Sequence, residues 1–249
     1  MIMKIHLFLS LLMAASAATV SAANPQPNWS YTGANDSAHW GGLSKDFAVC
    51  KTGKQQSPVD FSSVKAVKGK QVVYRYDTSD YKVENNGHTL QATPQGKPQT
   101  VMINGKPYVF KQFHFHIPSE HTFKGKHLPM EAHFVHQAED GTLAVVATVF
   151  KPGKNNPALT ALVAKKLKTG ESVQLKGLDI QTLLPEDTKS FHLKGSLTTP
   201  PCSENVTWVV FETPVQAGEA QIKAMRAIIG SANNRPVQPL NGREVNEIQ

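Results

Sequence analysis

The chain has 249 residues, 40% hydrophobic and 18% charged, with 26 Lys and Arg against 19 Asp and Glu for a net charge of +7. That composition suits one large or two small globular domains with a sizeable core and excludes a disordered polymer. The basic residues are scattered, at Lys65, Lys68, Lys70, Lys97, Lys106, Lys124 and Lys126 among others. Without aromatic interleaving or an Arg-rich helix they argue against nucleic-acid binding, and any attraction to an anionic surface is unspecific.

Residues 1–23 read as a secretory signal peptide. Lys4 supplies the positive start, Ile5 to Val20 is apolar but short, and Ser21-Ala22-Ala23 is a small-residue cleavage site. No later segment offers the roughly 20 apolar residues of a membrane span, and the polar end, Glu244 to Gln249, offers no tail anchor. The expectation is a soluble, exported protein, periplasmic or secreted, with its mature part at residues 24–249. In such a compartment Cys50 and Cys202 read as a disulfide, the alternative being two buried thiols.

Asn24 to Lys54 is rich in Gly, Pro, Asn and Ser. Trp29, Tyr31, Trp40 and Phe47 are expected to pin this irregular arm to the body. Short strands are predicted over Gln71 to Tyr76, Tyr81 to Glu84 and His88 to Ala92, with Asn85-Asn86-Gly87 as the turn that delivers His88. Val101 to Ile103 and Tyr108 to Phe110 flank the hairpin signal Asn104-Gly105. Leu143 to Phe150 is a continuous apolar run and predicts a buried strand. Two helices are predicted. In the first, Asn156 caps, Pro157 opens, Leu159, Leu162, Val163 and Leu167 share a face, Lys165, Lys166 and Lys168 meet the C-terminal dipole, and Gly170 ends it. The second spans about Gly218 to Ile229, with Ile222, Met225 and Ile229 on one face. Short strands dominate, which predicts a mainly β (α+β) single domain with a few peripheral helices.

The chemistry concentrates at Gln112 to Glu120. His114-Phe115-His116 on a strand points both imidazoles one way and the phenylalanines the other. Glu131-Ala132-His133-Phe134-Val135 repeats the alternation, and pairing the two strands brings three histidines to one point. Three neutral imidazoles with an open fourth position is a catalytic zinc arrangement. Gln112 and Glu131 are placed to hydrogen-bond the second nitrogen of a ligand ring. A second stretch, Gly195-Ser196-Leu197-Thr198-Thr199-Pro200-Pro201-Cys202, is a rigid non-helical loop before a strand at Val206 to Phe211.

With these motifs the sequence resembles the α-class carbonic anhydrases of the exported bacterial type. The resemblance runs from His39-Trp40-Gly41 through Gln56-Ser57-Pro58-Val59, Asn86-Gly87-His88, the histidine strands, Ser119-Glu120-His121 and Ser196 to Pro201. It ends at Asn233-Asn234-Arg235-Pro236 and Gln238-Pro239. It implies a central twisted, mostly antiparallel sheet of about ten strands. It implies one Zn(2+) per chain on His114, His116 and His133, with Gln112, Glu131 and the Asn233 carbonyl behind the rings. Thr198 and Glu120 match the gatekeeper pair, with Thr199 on the same wall. His88 matches the proton shuttle, with Asn86 and Gln91 nearby. Val135, Val145, Leu197, Val206 and Trp208 match the apolar substrate pocket. The implied reaction is reversible hydration of carbon dioxide to bicarbonate and a proton by attack of zinc-bound hydroxide. Sulfonamide and anion inhibitors are the implied small-molecule partners, and a homodimer is left open.

Two departures stand out: Gly42 falls where the family usually has a cavity tyrosine, and Leu193 replaces another tyrosine. His-x-His followed by Glu120 also resembles the first motif of cupins, where Glu120 would ligate iron or manganese, although the second cupin motif is missing. A catalytically dead binding module on the same fold is the third reading. It would be expected to lack a ligand, and all three are present.

Overall fold

The computed structural model describes residues 28–248 apart from 70, 71, 73 and 75, so the predicted signal peptide lies outside the described residues. The strands, in chain order, are β1 (Lys65–Val67), β2 (Ser79–Asn85), β3 (Leu90–Pro94), β4 (Thr100–Ile103), β5 (Lys106–His116), β6 (Thr122–Phe123) and β7 (Lys126–His127). They continue with β8 (Met130–Gln137), β9 (Leu143–Pro152), β10 (Ser172–Leu178), β11 (Ser190–Ser196), β12 (Glu204–Phe211), β13 (Val215–Ala217) and β14 (Asn246–Ile248). The α-helices are α1 (Trp40–Leu43), α2 (Val49–Thr52), α3 (Pro157–Val163) and α4 (Glu219–Ile229). Twelve strands form one sheet, with path β1-β14-β11-β12-β9-β8-β5-β3-β2-β10, β4 added on β5 and β13 on β9. The β1–β14, β9–β12 and β9–β13 pairs are parallel and the rest antiparallel, so the expected mainly β architecture is present as a mixed sheet.

Strand β8 shows why the two faces differ. Ala132 and Phe134 enter one apolar core with Phe113, Phe115 and Phe150, while Glu131, His133 and Val135 point the other way. β9 is buried from Ala144 to Phe150, as its unbroken apolar run requires. Asn104 (φ 51) and Gly105 (φ 78) make the hairpin turn between β4 and β5; both need the left-handed region, which Asn and Gly adopt most readily.

Three local expectations need correction. No strand forms over the described residues of Gln71 to Tyr76. Val72 and Tyr76 are buried there, but the Tyr76 N–H donates to the Gln181 side chain instead of to a ladder. β3 starts at Leu90, because the Asn86 side chain accepts from the N–H groups of His88 and Thr89 and holds both in the turn. Helix α3 is capped by Asn156 as expected but ends at Val163; Lys166 turns left-handed (φ 48), so the lysines lie beyond the helix while Leu167 still reaches the core. Helix α4 follows Gly218 and buries Ile222, Met225 and Ile228, with Ile229 half-buried.

The arm is more regular than its composition suggests. α1, α2 and short 3-10 turns carry it, and Trp29, Tyr31 and Trp40 pack edge to face. Cys50 in α2 is bonded to Cys202, with Cα atoms 5.0 Å apart across 152 residues of sequence. Among the described residues no helix is long and apolar enough to cross a membrane.

Candidate metal centre

The antiparallel register of β5 and β8 sets His114 directly opposite His133, and His116 opposite Glu131. Ligand-type nitrogens of His114, His116 and His133 lie within 4.8 Å of one another. Each ring has its other nitrogen tied to an acceptor. His114 Nδ1 donates to Gln112 Oε1 (2.8 Å), His116 Nδ1 to the Asn233 carbonyl (2.7 Å), and His133 Nε2 to Glu131 Oε1 (2.8 Å). Since the partners accept, those nitrogens carry the protons, and the lone pairs sit on His114 Nε2, His116 Nε2 and His133 Nδ1. Burial is the largest cause holding all three imidazoles below their ordinary pKa, that of His116 at about 4, so the rings are neutral at neutral pH. His116 Nε2 is buried with no hydrogen-bond partner. An orphaned lone pair converging with two others fits a zinc ion better than it fits a closed polar network.

Glu131 is saturated with donors. Its Oε1 accepts from His133 Nε2 and from His121 Nδ1 (2.7 Å), and its Oε2 accepts from the N–H groups of Glu120 and His121. Burial alone would raise its pKa, but His121 and His133 together hold it well below the usual carboxylate range. His121, Glu131 and His133 also cluster within 4.8 Å. There, however, the facing atoms are spent on one another, so the trio orients His133 instead of forming a second cradle.

Glu120 is fully buried. Its Oε1 accepts from the Arg235 N–H (2.8 Å), and its Oε2 has no hydrogen-bond partner, standing 3.5 Å from His116 Nε2 and 3.8 Å from His133 Nδ1. Burial pushes its pKa up to about 7 against the opposing pull of His133, the Arg235 N–H and the Thr198 hydroxyl. A divalent cation at the three nitrogens would bring it down again. Arg235 is buried too. Its guanidinium donates to Gln56 Oε1 and to the carbonyls of Ser57 and Cys50, which ties the arm to the same wall.

A row of side chains crosses the sheet beside the histidines. Gln112 pairs with Val135, Val135 with Val145, Val145 with Trp208, and Trp208 with Leu193. Val145, Val206 and Trp208 are buried in one apolar cluster, against which Val135 and Leu197 pack half-buried. The Thr198 loop closes on this wall through reciprocal bonds: Ser57 N–H to Ser196 Oγ (2.9 Å) and Ser196 N–H to Ser57 Oγ (3.2 Å). Trp208 Nε1 also donates to the Ser196 carbonyl. Gly195 permits the approach, since a Cβ there would stand 2.1 Å from Ser57 Oγ.

His88 is half-buried on its turn, stacked on Trp29 with ring centroids 3.9 Å apart and planes 8° apart, and burial lowers its pKa. Tyr31 bears on the expected loss of a cavity tyrosine at Gly42. Gly42 is exposed, with open space where a Cβ would be, whereas the hydroxyl of Tyr31 is raised well above its ordinary pKa by burial and then by the charge of Glu120. Leu193 is buried in the apolar cluster. His121 and Arg235 received no role from the sequence, and Trp29 only that of pinning the arm; the adjacency of His121 to Glu120 was the available signal, while the Arg235 contacts and the stacking of Trp29 on His88 emerge only from long-range packing.

A three-histidine cluster on an open mixed sheet, beside an apolar wall, defines a candidate metal-binding site on a mainly β fold, and the open sheet is not the double-sheet jelly roll of a cupin. Residues 35–249 match the family described as eukaryotic-type carbonic anhydrase, and the chain belongs to that family. It is 42% identical over 238 residues to a carbonic anhydrase of Neisseria gonorrhoeae, covering 95% of this chain and 94% of that one. The α-carbonic anhydrase of Thermovibrio ammonificans, solved in complex with the inhibitor sulfanilamide, superposes with a TM-score of 0.85 at 43% identity over 89% of this chain and 100% of that one. That of Photobacterium profundum gives 0.83 at 43% identity, over 88% and 100%. The chain is a carbonic anhydrase, an enzyme of carbon dioxide hydration.

Proposed function

We propose that this chain hydrates carbon dioxide reversibly at one zinc ion held by His114 Nε2, His116 Nε2 and His133 Nδ1. The observation that carries the reading is that all three rings have their far nitrogens pinned by acceptors while the near nitrogens converge. When bound to three neutral ligands, zinc keeps its full charge and lowers the pKa of water to about 7, making hydroxide available at neutral pH. Gln112, Asn233 and Glu131 fix the tautomers and aim the rings.

Glu120, as a carboxylate, can only accept a hydrogen bond. Donation from the Thr198 hydroxyl to it would leave the Thr198 oxygen to accept the proton of the nucleophile and so to aim its lone pair at the substrate. Val135, Val145, Leu197, Val206 and Trp208 form the wall that holds a small apolar substrate, with Thr199 at its edge. An acid of pKa near 7 returns its proton to bulk at only about 10³ s⁻¹ if recapture runs near roughly 10¹⁰ M⁻¹s⁻¹. Faster turnover therefore needs a relay, and His88 supplies it. Stacking on Trp29 and partial burial keep its ring neutral and ready to accept a proton at neutral pH. A sulfonamide anion, as in the Thermovibrio ammonificans complex, would take the open position and donate to Thr198. The disulfide supports export to an oxidising compartment.

A stopped-flow hydration assay with and without a chelator tests the reading. Activity should fall on chelation and return on adding zinc; activity indifferent to the chelator and to added zinc would refute it.

A further inference from the structure

A second concavity, of ≈ 550 Å³, opens where the loop after α3 faces helix α4, and none of its lining residues belongs to the metal centre. Leu167, Ala224, Ala227 and Ile228 give it an apolar floor, and Lys166, Lys168 and Lys223 stand around it. The volume falls in the range of small-molecule sites. All three lysines are exposed, and among the described residues none forms an ion pair; the lysines that do are Lys65, Lys82, Lys106 and Lys189. Three positive charges outside any ion pair, against one nearby carboxylate, Glu171, whose Oε2 accepts from the Lys168 N–H, leave a net positive rim around an apolar floor, which complements a ligand apolar along its length and negative at its head.

The walls are fixed in place. Asn85, itself buried, donates from Nδ2 to the Leu167 carbonyl (3.1 Å) on one wall and to the Ile228 carbonyl (2.7 Å) on the other. Its backbone carbonyl accepts from the Gly170 N–H at 2.8 Å. One buried side chain thus ties the two walls to each other, so a ligand meets a formed site with little ordering left to do.

We propose that this groove binds a free single-chain anionic amphiphile, with the acyl chain along the alanine and isoleucine floor and a carboxylate or phosphate head among Lys166, Lys168 and Lys223. Isothermal titration of the full chain with dodecanoate and with dodecyl phosphate, both below their micellar concentrations, provides the test. We expect saturable binding of one molecule per chain. Binding should weaken by about tenfold or more in the Lys166→Glu/Lys168→Glu/Lys223→Glu variant and should be blocked by Ala224→Trp, which fills the floor without altering charge. Carbon dioxide hydration should be unchanged in both variants, which shows that they fold. Dodecyltrimethylammonium should not bind saturably. Equal binding of the cationic amphiphile, undiminished affinity in both variants, or no saturable binding would overturn the proposal. So would binding confined to phosphatidylglycerol vesicles with none to the monomeric probes.

Discussion

The histidines proposed for chemistry occupy two contrasting settings. His114, His116 and His133 sit on paired strands, with each outer nitrogen bonded at 2.7–2.8 Å and with the third, His133, directly opposite the first. His88 sits on a turn, half-buried, its ring held by stacking on Trp29. The first setting removes freedom: a ring on a ladder with a fixed tautomer can present only one lone pair in one direction. The second leaves freedom, because a stacked ring at a turn can exchange protons with water. Strand pairing therefore supplies geometry for ligation, and the arm and turn supply a group able to titrate.

The largest effect should come from breaking the rigid setting. His116→Ala or His133→Ala should abolish stoichiometric zinc at neutral pH and cut hydration by orders of magnitude, read by metal analysis beside the rate. Full activity in a metal-free His116→Ala protein would show that the ladder histidines are not the ligands.

Next comes the tether between arm and loop. The Cys50–Cys202 bond spans 152 residues of sequence, and chain entropy assigns such a closure up to roughly 5 kcal/mol, though measured values often fall short. The Cys50→Ser/Cys202→Ser variant should melt lower. Because Cys202 directly follows the Thr198 loop, it should also lose kcat/KM while keeping zinc. Equal melting with and without reductant would mean that the bridge does not support the fold.

Thr198→Ala should leave zinc bound and lower kcat/KM roughly tenfold to a hundredfold, the scale of about 1.4 to 2.7 kcal/mol. An unchanged value would reduce Thr198 to a loop residue.

The exchangeable setting gives the smallest effects, and the most discriminating ones. His88→Ala should lower kcat in dilute buffer, spare kcat/KM and respond to added imidazole. Trp29→Ala should do something different. Burial depresses the His88 pKa, so uncovering the ring should raise it toward about 6.5. The acidic limb of the kcat profile, which requires neutral His88, should then move to higher pH. A profile that stays in place would remove the stacking from the account.

Much of this arrangement was legible in the sequence, for identifiable reasons. A period of two placed His114, His116 and His133 on one face, and Asn156, Asn104-Gly105 and the apolar run at Leu143 to Phe150 each announced their local structure. The proposed pocket residues were reached through family resemblance, and the register places three of them, Val135, Val145 and Trp208, in one row across neighbouring strands. What stayed hidden depends on distant partners. Arg235 meets Gln56, Ser57 and Cys50, all more than 170 positions away. Trp29 reaches His88 only because the arm packs there. No strand forms over the described residues of Gln71 to Tyr76, because burial, as of Val72 and Tyr76, does not require a ladder.

The most direct test of the centre is anomalous X-ray diffraction at the zinc edge on crystals of protein purified without chelator. The account predicts one peak, about 2.0–2.1 Å from His114 Nε2, His116 Nε2 and His133 Nδ1, with both oxygens of Glu120 beyond ligand distance. A peak coordinated by Glu120, or one placed between His121 and Glu131, would contradict it.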